Sequence, residues 1–227
     1  MKTNINKLSL LCLMAESILC LCAHNDDQII GAGGSLRKYA NQGKIIKTII
    51  FSFGQSSHPH LKTKVIVDKR VGESLKADKI LGGSGIAYLN MREGHFKEDF
   101  KKKKMKMYLK KVMNELKPTK IFTHSDDDFH PDHKAIFELV SDMIKKKEIA
   151  CAVYTFEIWN IIKLKKKRLP KLVEDISETF QTKVDALKAH KSQKATILSL
   201  MWNMYLKAIT NGFFYGCKYA EVFYKIN

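Results

Sequence analysis

Two short polar clusters hold the residue types that bind a metal ion and move protons. The first reads Ala23-His24-Asn25-Asp26-Asp27-Gln28. The second is Thr123-His124-Ser125-Asp126-Asp127-Asp128-Phe129-His130-Pro131-Asp132-His133. His24 and Asp27 stand three residues apart across a turn, so their side chains can converge on one point. Asp26 must then point elsewhere, which leaves a carboxylate to act as base on a metal-bound water. His130 and His133 share that three-residue spacing at the start of a helix, on one side of its first turn. Pro131 between them suits a first-turn position. Brought to one edge of a sheet, two such clusters supply a nitrogen–oxygen donor set for zinc, with one position open for water. Neither cluster contains a cysteine, which argues against a closed structural zinc site. Asp126, Asp127 and Asp128 read as a solvated acidic or helix-capping stretch. His124 reads equally as a support for the site or as a packed core histidine.

Both clusters directly follow apolar runs of strand length, Ser17–Cys22 and Lys120–Thr123. Further strands are expected at Lys44–Ser52, Ile86–Leu89, Ala150–Trp159 and Ala220–Lys225. Between them, helical periodicity runs from a glycine-rich turn at Gly31–Gly34 to Asn41, then over Val65–Leu81, Phe96–Leu116 and His133–Lys146. Two more helices are expected at Ser177–Ala189 and Gln193–Ile209, and a mobile loop at Lys163–Lys171. Strands alternating with helices imply βαβ units and a mainly parallel sheet covered on both faces. In such sheets ligands bind at the carboxyl ends of the strands, which is where both clusters fall. Internal repeats and long linkers are absent, so residues 1–227 read as one domain.

Composition narrows the function classes. A hydrophobic fraction of 45% fits a globular core and excludes a disordered chain. No charge-free apolar run is long enough to span a bilayer. Lys2 and Lys7 before Leu8–Met14 resemble a secretion leader, but Glu16 interrupts the run, and cleavage after Ala23 would remove the first core strand. The five cysteines form no C-x-x-C pair and read as reduced, mostly buried thiols in a cytoplasmic protein. The formal charge of +17 sits largely in the runs Lys101–Lys104, Lys145–Lys147 and Lys163–Arg168. Each reads first as a solvated face, and otherwise as a footprint for an anionic ligand. Aromatics do not interleave with them, which argues against sequence-specific nucleic-acid binding.

The two clusters resemble the motifs of the LmbE/PIG-L-like deacetylases, a strand followed by A-H-P-D-D-E and a later H-P-D-H. Weaker similarities lie at Arg70-Val71-Gly72-Glu73, at Ala189-His190-Lys191-Ser192-Gln193 and at Tyr219-Ala220-Glu221-Val222-Phe223. The resemblance implies a Rossmann-like three-layer α/β sandwich with a mainly parallel sheet. It implies zinc (Zn2+) held by His24, Asp27 and His133, with Asp26 as general base and His130 as acid or electrostatic stabiliser. Arg70 matches a position that often contacts substrate in that family. Asn25 replaces the usual proline and Gln28 the usual glutamate. Neither change removes an expected ligand or base.

The activity this implies is hydrolysis of an N-acetyl group on an N-acetylglucosamine-type sugar, in phosphorylated, nucleotide-linked or lipid-linked form. The alternatives are an amidase acting on a sugar–thiol conjugate, and a basic module that binds glycan or polyanion with an inactive site. A nucleotide-cofactor reading fails because Gly31-Ala32-Gly33-Gly34 does not give G-x-G-x-x-G.

Overall fold

The computed structural model describes residues 15–54, 63–159 and 169–227. The leader-like run Leu8–Met14, the polar loop at Ser56–Pro59 and the lysine run Lys163–Arg168 lie outside the described residues. Seven strands follow the chain as β1 (Ser17–Cys22), β2 (Ile45–Ile50), β3 (Ile86–Tyr88), β4 (Lys120–His124), β5 (Ala152–Phe156), β6 (Lys171–Asp175) and β7 (Ala220–Lys225). The helices are α1 (Asp27–Asn41), α2 (Thr63–Leu81), α3 (Phe96–Lys102), α4 (Met105–Leu116), α5 (Pro131–Lys145), α6 (Phe180–Lys188) and α7 (Lys194–Tyr215).

One sheet holds all seven strands in the order β3-β2-β1-β4-β5-β7-β6. The first five are parallel, while β7 pairs antiparallel with both β5 and β6. Every residue of β1 is buried, and successive side chains serve opposite faces. Ile18, Cys20 and Cys22 join a core with Leu36 of α1, Ala77 of α2, Val184 of α6 and Leu200 of α7. Leu19 and Leu21 join a second core with Phe96 of α3, Leu109 of α4 and Ile136 of α5. Two covered faces are the physical reason that β1 reads as a continuous apolar run, and they make the three-layer sandwich that the motifs implied. Truncating a residue such as Phe122 in these cores would cost about 3–5 kcal/mol.

Because β1 lies between β2 and β4, the chain winds one way through β3 and then returns past β1 to β4. The carboxyl ends of β1 and β4 therefore border the topological switch point, where an open α/β sheet has its crevice. Both polar clusters emerge there.

Four local expectations are corrected. Gly31–Gly34 is not a turn but lies inside α1. Glycine costs helix stability there, yet α1 packs too closely for anything larger. A Cβ on Gly31 would stand 2.3 Å from Phe156, and one on Gly34 would stand 2.7 Å from Ile176. The single helix expected over Phe96–Leu116 breaks between α3 and α4, where Lys104 takes a left-handed conformation with φ 48°. That break lets Phe96 and Met105 both reach the second core. The loop expected to end at Lys171 gives way to β6, which starts at that residue and pairs along β7 from Lys171 to Asp175. The last helix also runs beyond Ile209 to Tyr215.

Candidate metal and catalytic site

After β1 the chain turns so that the His24 backbone N–H donates to Asp27 Oδ2 at 2.8 Å. Asp26 takes the N-cap position of α1, where its carbonyl accepts from the N–H groups of Ile29 and Ile30. Asp27 then falls in the first helical turn, where the helix dipole favours negative charge. On the opposite side of the crevice, His130 caps α5, and Pro131 sits in the first turn as the spacing suggested. His130 Nδ1 accepts from the Asp132 N–H at 3.2 Å, so a neutral ring carries its proton on Nε2.

The structure brings His24, Asp27 and His133 together. His133 Nε2 lies 3.3 Å from His24 Nδ1 and 3.5 Å from Asp27 Oδ1. His24 Nδ1 lies 3.6 Å from Asp27 Oδ2. Tetrahedral coordination with bonds of about 2.0–2.2 Å sets donor atoms about 3.3–3.6 Å apart. The three side chains thus lie close together, with Asp27 facing His133 through Oδ1 and His24 through Oδ2. The His130 ring centroid stands 4.7 Å from those of both His24 and His133.

A second layer of groups braces the trio. Asp128 Oδ1 is 3.0 Å from His133 Nδ1, and its other oxygen accepts from the Ile158 N–H at 2.9 Å. Asp128 is completely buried, so it does not belong to a solvated acidic stretch. Asp132 Oδ2 is 3.5 Å from His24 Nε2, and the Asp132 carboxylate also accepts from the Gly94 N–H. His124 settles as a buried neighbour of the site. Its Nε2 lies 3.2 Å from Asp27 Oδ2 and accepts from the Ala23 N–H at 3.0 Å, while its ring stacks on His133 with centroids 3.9 Å apart. Its donor atom, with those of Asp27 and His133, falls within a 4.8 Å set.

Electrostatics point the same way. Burial would raise the Asp27 carboxyl, but His133, His124 and His24 hold it well below the usual carboxylate range. Burial likewise opposes ionisation of Asp128, yet His133 and two backbone N–H bonds draw it down to about 2. Asp132 is also lowered, against its burial, by His24 and the Gly94 amide. Three buried carboxylates thus stay ionised and call for positive charge. In the metal-free protein that charge rests on His24. Burial disfavours its protonation, but bonds to Asp132 and Asp27 raise it to about 10. A divalent cation would displace that proton and neutralise the same carboxylates. His124 falls to about 4 through burial and the neighbouring His133, and His130 is lowered by burial, His24 and His133. Both stay neutral near pH 7.

Asp26, at the N-cap next to Asp27, is buried. Arg70 is buried on the α2 side, with its Nη1 donating to the Gly54 carbonyl at 2.6 Å. His190, the histidine of the third weak similarity, is buried in the same neighbourhood. Burial lowers it most, opposed by the charges of Asp26 and Glu73, and Arg70 lowers it further. Neither ring nitrogen of His190 has a hydrogen-bond partner. Glu73 ties the two motifs together by accepting from the Ser192 N–H and hydroxyl at 2.8 and 2.6 Å. Sequence spacing did not mark Asp128 or Asp132 as supports. The signal available for both was their proximity in sequence to His130 and His133.

Comparison with known proteins identifies the family. A family model described as PIG-L, GlcNAc-PI de-N-acetylase, matches residues 19–144. The chain is 27% identical over 181 residues to the uncharacterized deacetylase YaiS of Escherichia coli, covering 78% of this chain and 91% of that one. It is 25% identical over 208 residues to a probable N-acetyl-alpha-D-glucosaminyl L-malate deacetylase 2 of Bacillus cereus, covering 82% and 87%. Among solved structures, the N,N'-diacetylchitobiose deacetylase of Pyrococcus horikoshii aligns with a TM-score of 0.75 at 19% identity, over 100% of this chain and 94% of that one. The 4-carboxy-2-hydroxymuconate hydratase GalB of Pseudomonas putida aligns with a TM-score of 0.74 at 21% identity, over 93% and 96%. The fold thus carries more than one reaction, and structural likeness alone does not choose between them. The family match spans more than half of the chain, from within β1 to the end of α5 and so across both ligand clusters, and the chain belongs to the PIG-L family of de-N-acetylases.

Proposed function

We infer that this chain is a zinc-dependent hydrolase that removes the N-acetyl group from an N-acetylglucosamine-type sugar or conjugate, releasing acetate and a free amine. The observation that carries this reading is the convergence of His24, Asp27 and His133, whose donor atoms approach one another to 3.3–3.6 Å, with Asp26 next to Asp27 in the chain. Zinc suits two imidazoles and one carboxylate, and when bound it supplies Lewis acidity that polarises the acetyl carbonyl and makes water more acidic. Asp26 accepts a proton from the attacking water as the new C–O bond forms. The Nε2–H of His130 donates to the oxygen on which negative charge develops, a role open to a neutral ring. The C–N bond then breaks, and the proton held by Asp26 passes to the departing amine nitrogen. Arg70 and His190 line the Asp26 side of the site and orient the sugar and the base. The substrates named for the Bacillus relative and the Pyrococcus neighbour are both N-acetylated sugars, which supports the substrate class. The lysine-rich surface favours a phosphorylated or otherwise anionic conjugate.

The test is acetate release from free N-acetylglucosamine, its malate glycoside, diacetylchitobiose and N-acetylglucosaminyl phosphatidylinositol. Each is assayed after chelation and after one equivalent of zinc is restored. One equivalent is chosen because a teicoplanin deacetylase of this fold has been captured in a zinc-inhibited form. Release from at least one substrate, abolished by chelator and restored by zinc, is expected. A zinc-loaded protein that releases acetate from none of them would overturn the reading.

A further inference from the structure

Among the described residues, nothing covers the outer face of α7, which is an apolar ridge. Leu198, Trp202, Leu206, Ile209 and Phe213 recur at steps of four, four, three and four residues, so they line one side of the helix. Phe214 lies beside the ridge at its C-terminal end, its ring 5.9 Å from that of Phe213. Trp202 is 69% exposed, Phe213 82% and Phe214 77%. The ridge is about 22 Å long at the rise of an α-helix. The opposite face is no less apolar, with Ile197, Leu200, Met204 and Ala208 packed into the first core. A helix with two apolar faces normally has both covered. Among the described residues, only the inner one is packed against the chain.

We propose that this ridge docks α7 onto the surface of an anionic lipid bilayer. Three observations select that occupant. Charge comes first: the chain carries a formal +17, so a second copy would be repelled, whereas anionic headgroups attract it. Next is residue type, because Trp, Phe and Leu on one helix face, with cations beside them, suit the boundary between headgroups and acyl chains. α7 contains no Asp or Glu, and Lys171 and Lys218, both exposed, lie near its C-terminal end. Lys171 Nζ is 3.3 Å from the hydroxyl of Tyr215, the last residue of the helix. Shape is the third, since a single convex helix presents a ridge to a plane rather than a groove to a peptide. α7 does not satisfy the length and hydropathy of a membrane span, which leaves it to lie in the interface rather than cross it.

The inner face of α7 links this ridge to the catalytic edge. Asn203 Nδ2 donates to the Ile158 carbonyl at 3.1 Å, and the Ile158 N–H donates to Asp128, the carboxylate beside His133. Docking would therefore hold the crevice near the lipid surface, where a lipid-linked substrate is presented. That consequence rests on the deacetylase reading, but the docking itself does not.

The test is co-sedimentation of the full chain with phosphatidylcholine vesicles, with and without phosphatidylglycerol. It is run alongside light scattering and acetate release from free N-acetylglucosamine. Binding to the phosphatidylglycerol vesicles and much weaker binding to phosphatidylcholine alone are expected. The Phe213→Ser/Phe214→Ser variant and Trp202→Ser should each bind at least about tenfold more weakly, given the apolar area each removes. Their circular dichroism and acetate release should match the parent chain, because these side chains face solvent. The proposal is overturned by failure to bind phosphatidylglycerol vesicles, or by binding that the variants leave unchanged. It is also overturned by a dimer that the same variants convert to monomer, since a second copy would then be the occupant. Vesicle binding by a zinc-loaded chain that releases acetate from none of the four substrates named above would break the deacetylase reading and leave the docking intact.

Discussion

Lys183 and Glu221 are buried as deeply as Asp27 and His133, but the two clusters end differently. Lys183 Nζ donates to Glu221 Oε1 at 2.6 Å and to the Ile30 carbonyl at 2.8 Å. Glu221 also accepts from the amides of Gly34 and Ser35 and from the Ser35 hydroxyl. The two charges are matched and both Glu221 oxygens are filled there, and the pair locks β7 and α6 onto the glycine segment of α1. Around Asp27, four histidines crowd against three carboxylates, and His124 Nδ1 and both nitrogens of His190 remain without a partner. The Nε2 of His124 is moreover approached by both the Ala23 N–H and Asp27, although a neutral ring nitrogen serves only one of them. A buried polar cluster that closes on itself belongs to the fold. One left with unmet donors and acceptors has kept them for a ligand.

The largest effects should come from breaking the open cluster. Asp27→Ala and His133→Ala should lose bound zinc and reduce acetate release to background, while melting close to the parent chain in chelator. Asp26→Asn should keep the metal, by elemental analysis, and lose about 10²–10⁴ in turnover, the usual contribution of a positioned base. Near-normal turnover in Asp26→Asn would remove it from the mechanism.

The closed cluster should respond in the opposite way. Glu221→Gln leaves the Lys183 ammonium buried without its counter-charge, which costs about 3–5 kcal/mol. Denaturant unfolding should show that loss, while zinc content per folded molecule and turnover at low temperature stay unchanged. A variant that lost zinc but not stability would erase the distinction between the clusters.

The boundary between the two is what the amino-acid sequence shows least. β1, β4 and the His/Asp clusters at their ends were legible because apolar runs and three-residue spacings are local. The remaining partners were not. Asp128 sits in a run of three aspartates that reads as solvated, and only the fold reveals that it meets His133 and Ile158. Gly31–Gly34 reads as a turn because the close approach of Phe156 and Ile176 cannot be seen along the chain. Glu221 stands 38 residues from Lys183 and 187 from Gly34, so its role in the closed pair depends wholly on tertiary contact. β6 follows a lysine-rich stretch and carries only two apolar residues, Leu172 and Val173, so it shows no core pattern of its own.

Asp128 offers an intermediate effect, because it belongs to the open cluster but is itself well satisfied. Asp128→Asn keeps the shape and removes the charge that orients His133. Partners of this kind are worth about 10–100-fold in metal affinity. Competition with a chelating dye should show that weakening, with little change in turnover once zinc is saturating. An unchanged affinity would mean that backbone packing alone holds His133.

The smallest effect tests how far the open cluster depends on its rim. Asp99, at the start of α3, accepts from the Arg92 N–H at 2.9 Å and from Arg92 Nη2 at 2.7 Å. That clamp fixes the turn carrying Gly94, whose N–H supports Asp132 behind His24. The Arg92 guanidinium outweighs burial and holds the Asp99 carboxyl below its usual range. A folded-state value below the unfolded one stabilises the protein above the unfolded value, and that contribution fades as pH falls through the folded one. Arg92 is half exposed, so the contribution is small and weakened by salt. Asp99→Asn should therefore melt slightly below the parent chain at neutral pH, with the gap closing below about pH 4. Zinc affinity should shift less than in Asp128→Asn, because Asp99 reaches the ligands only through Gly94, Asp132 and His24. If Asp99→Asn instead lost as much zinc as Asp128→Asn, the rim would be part of the metal site, and the open cluster would extend as far as the surface.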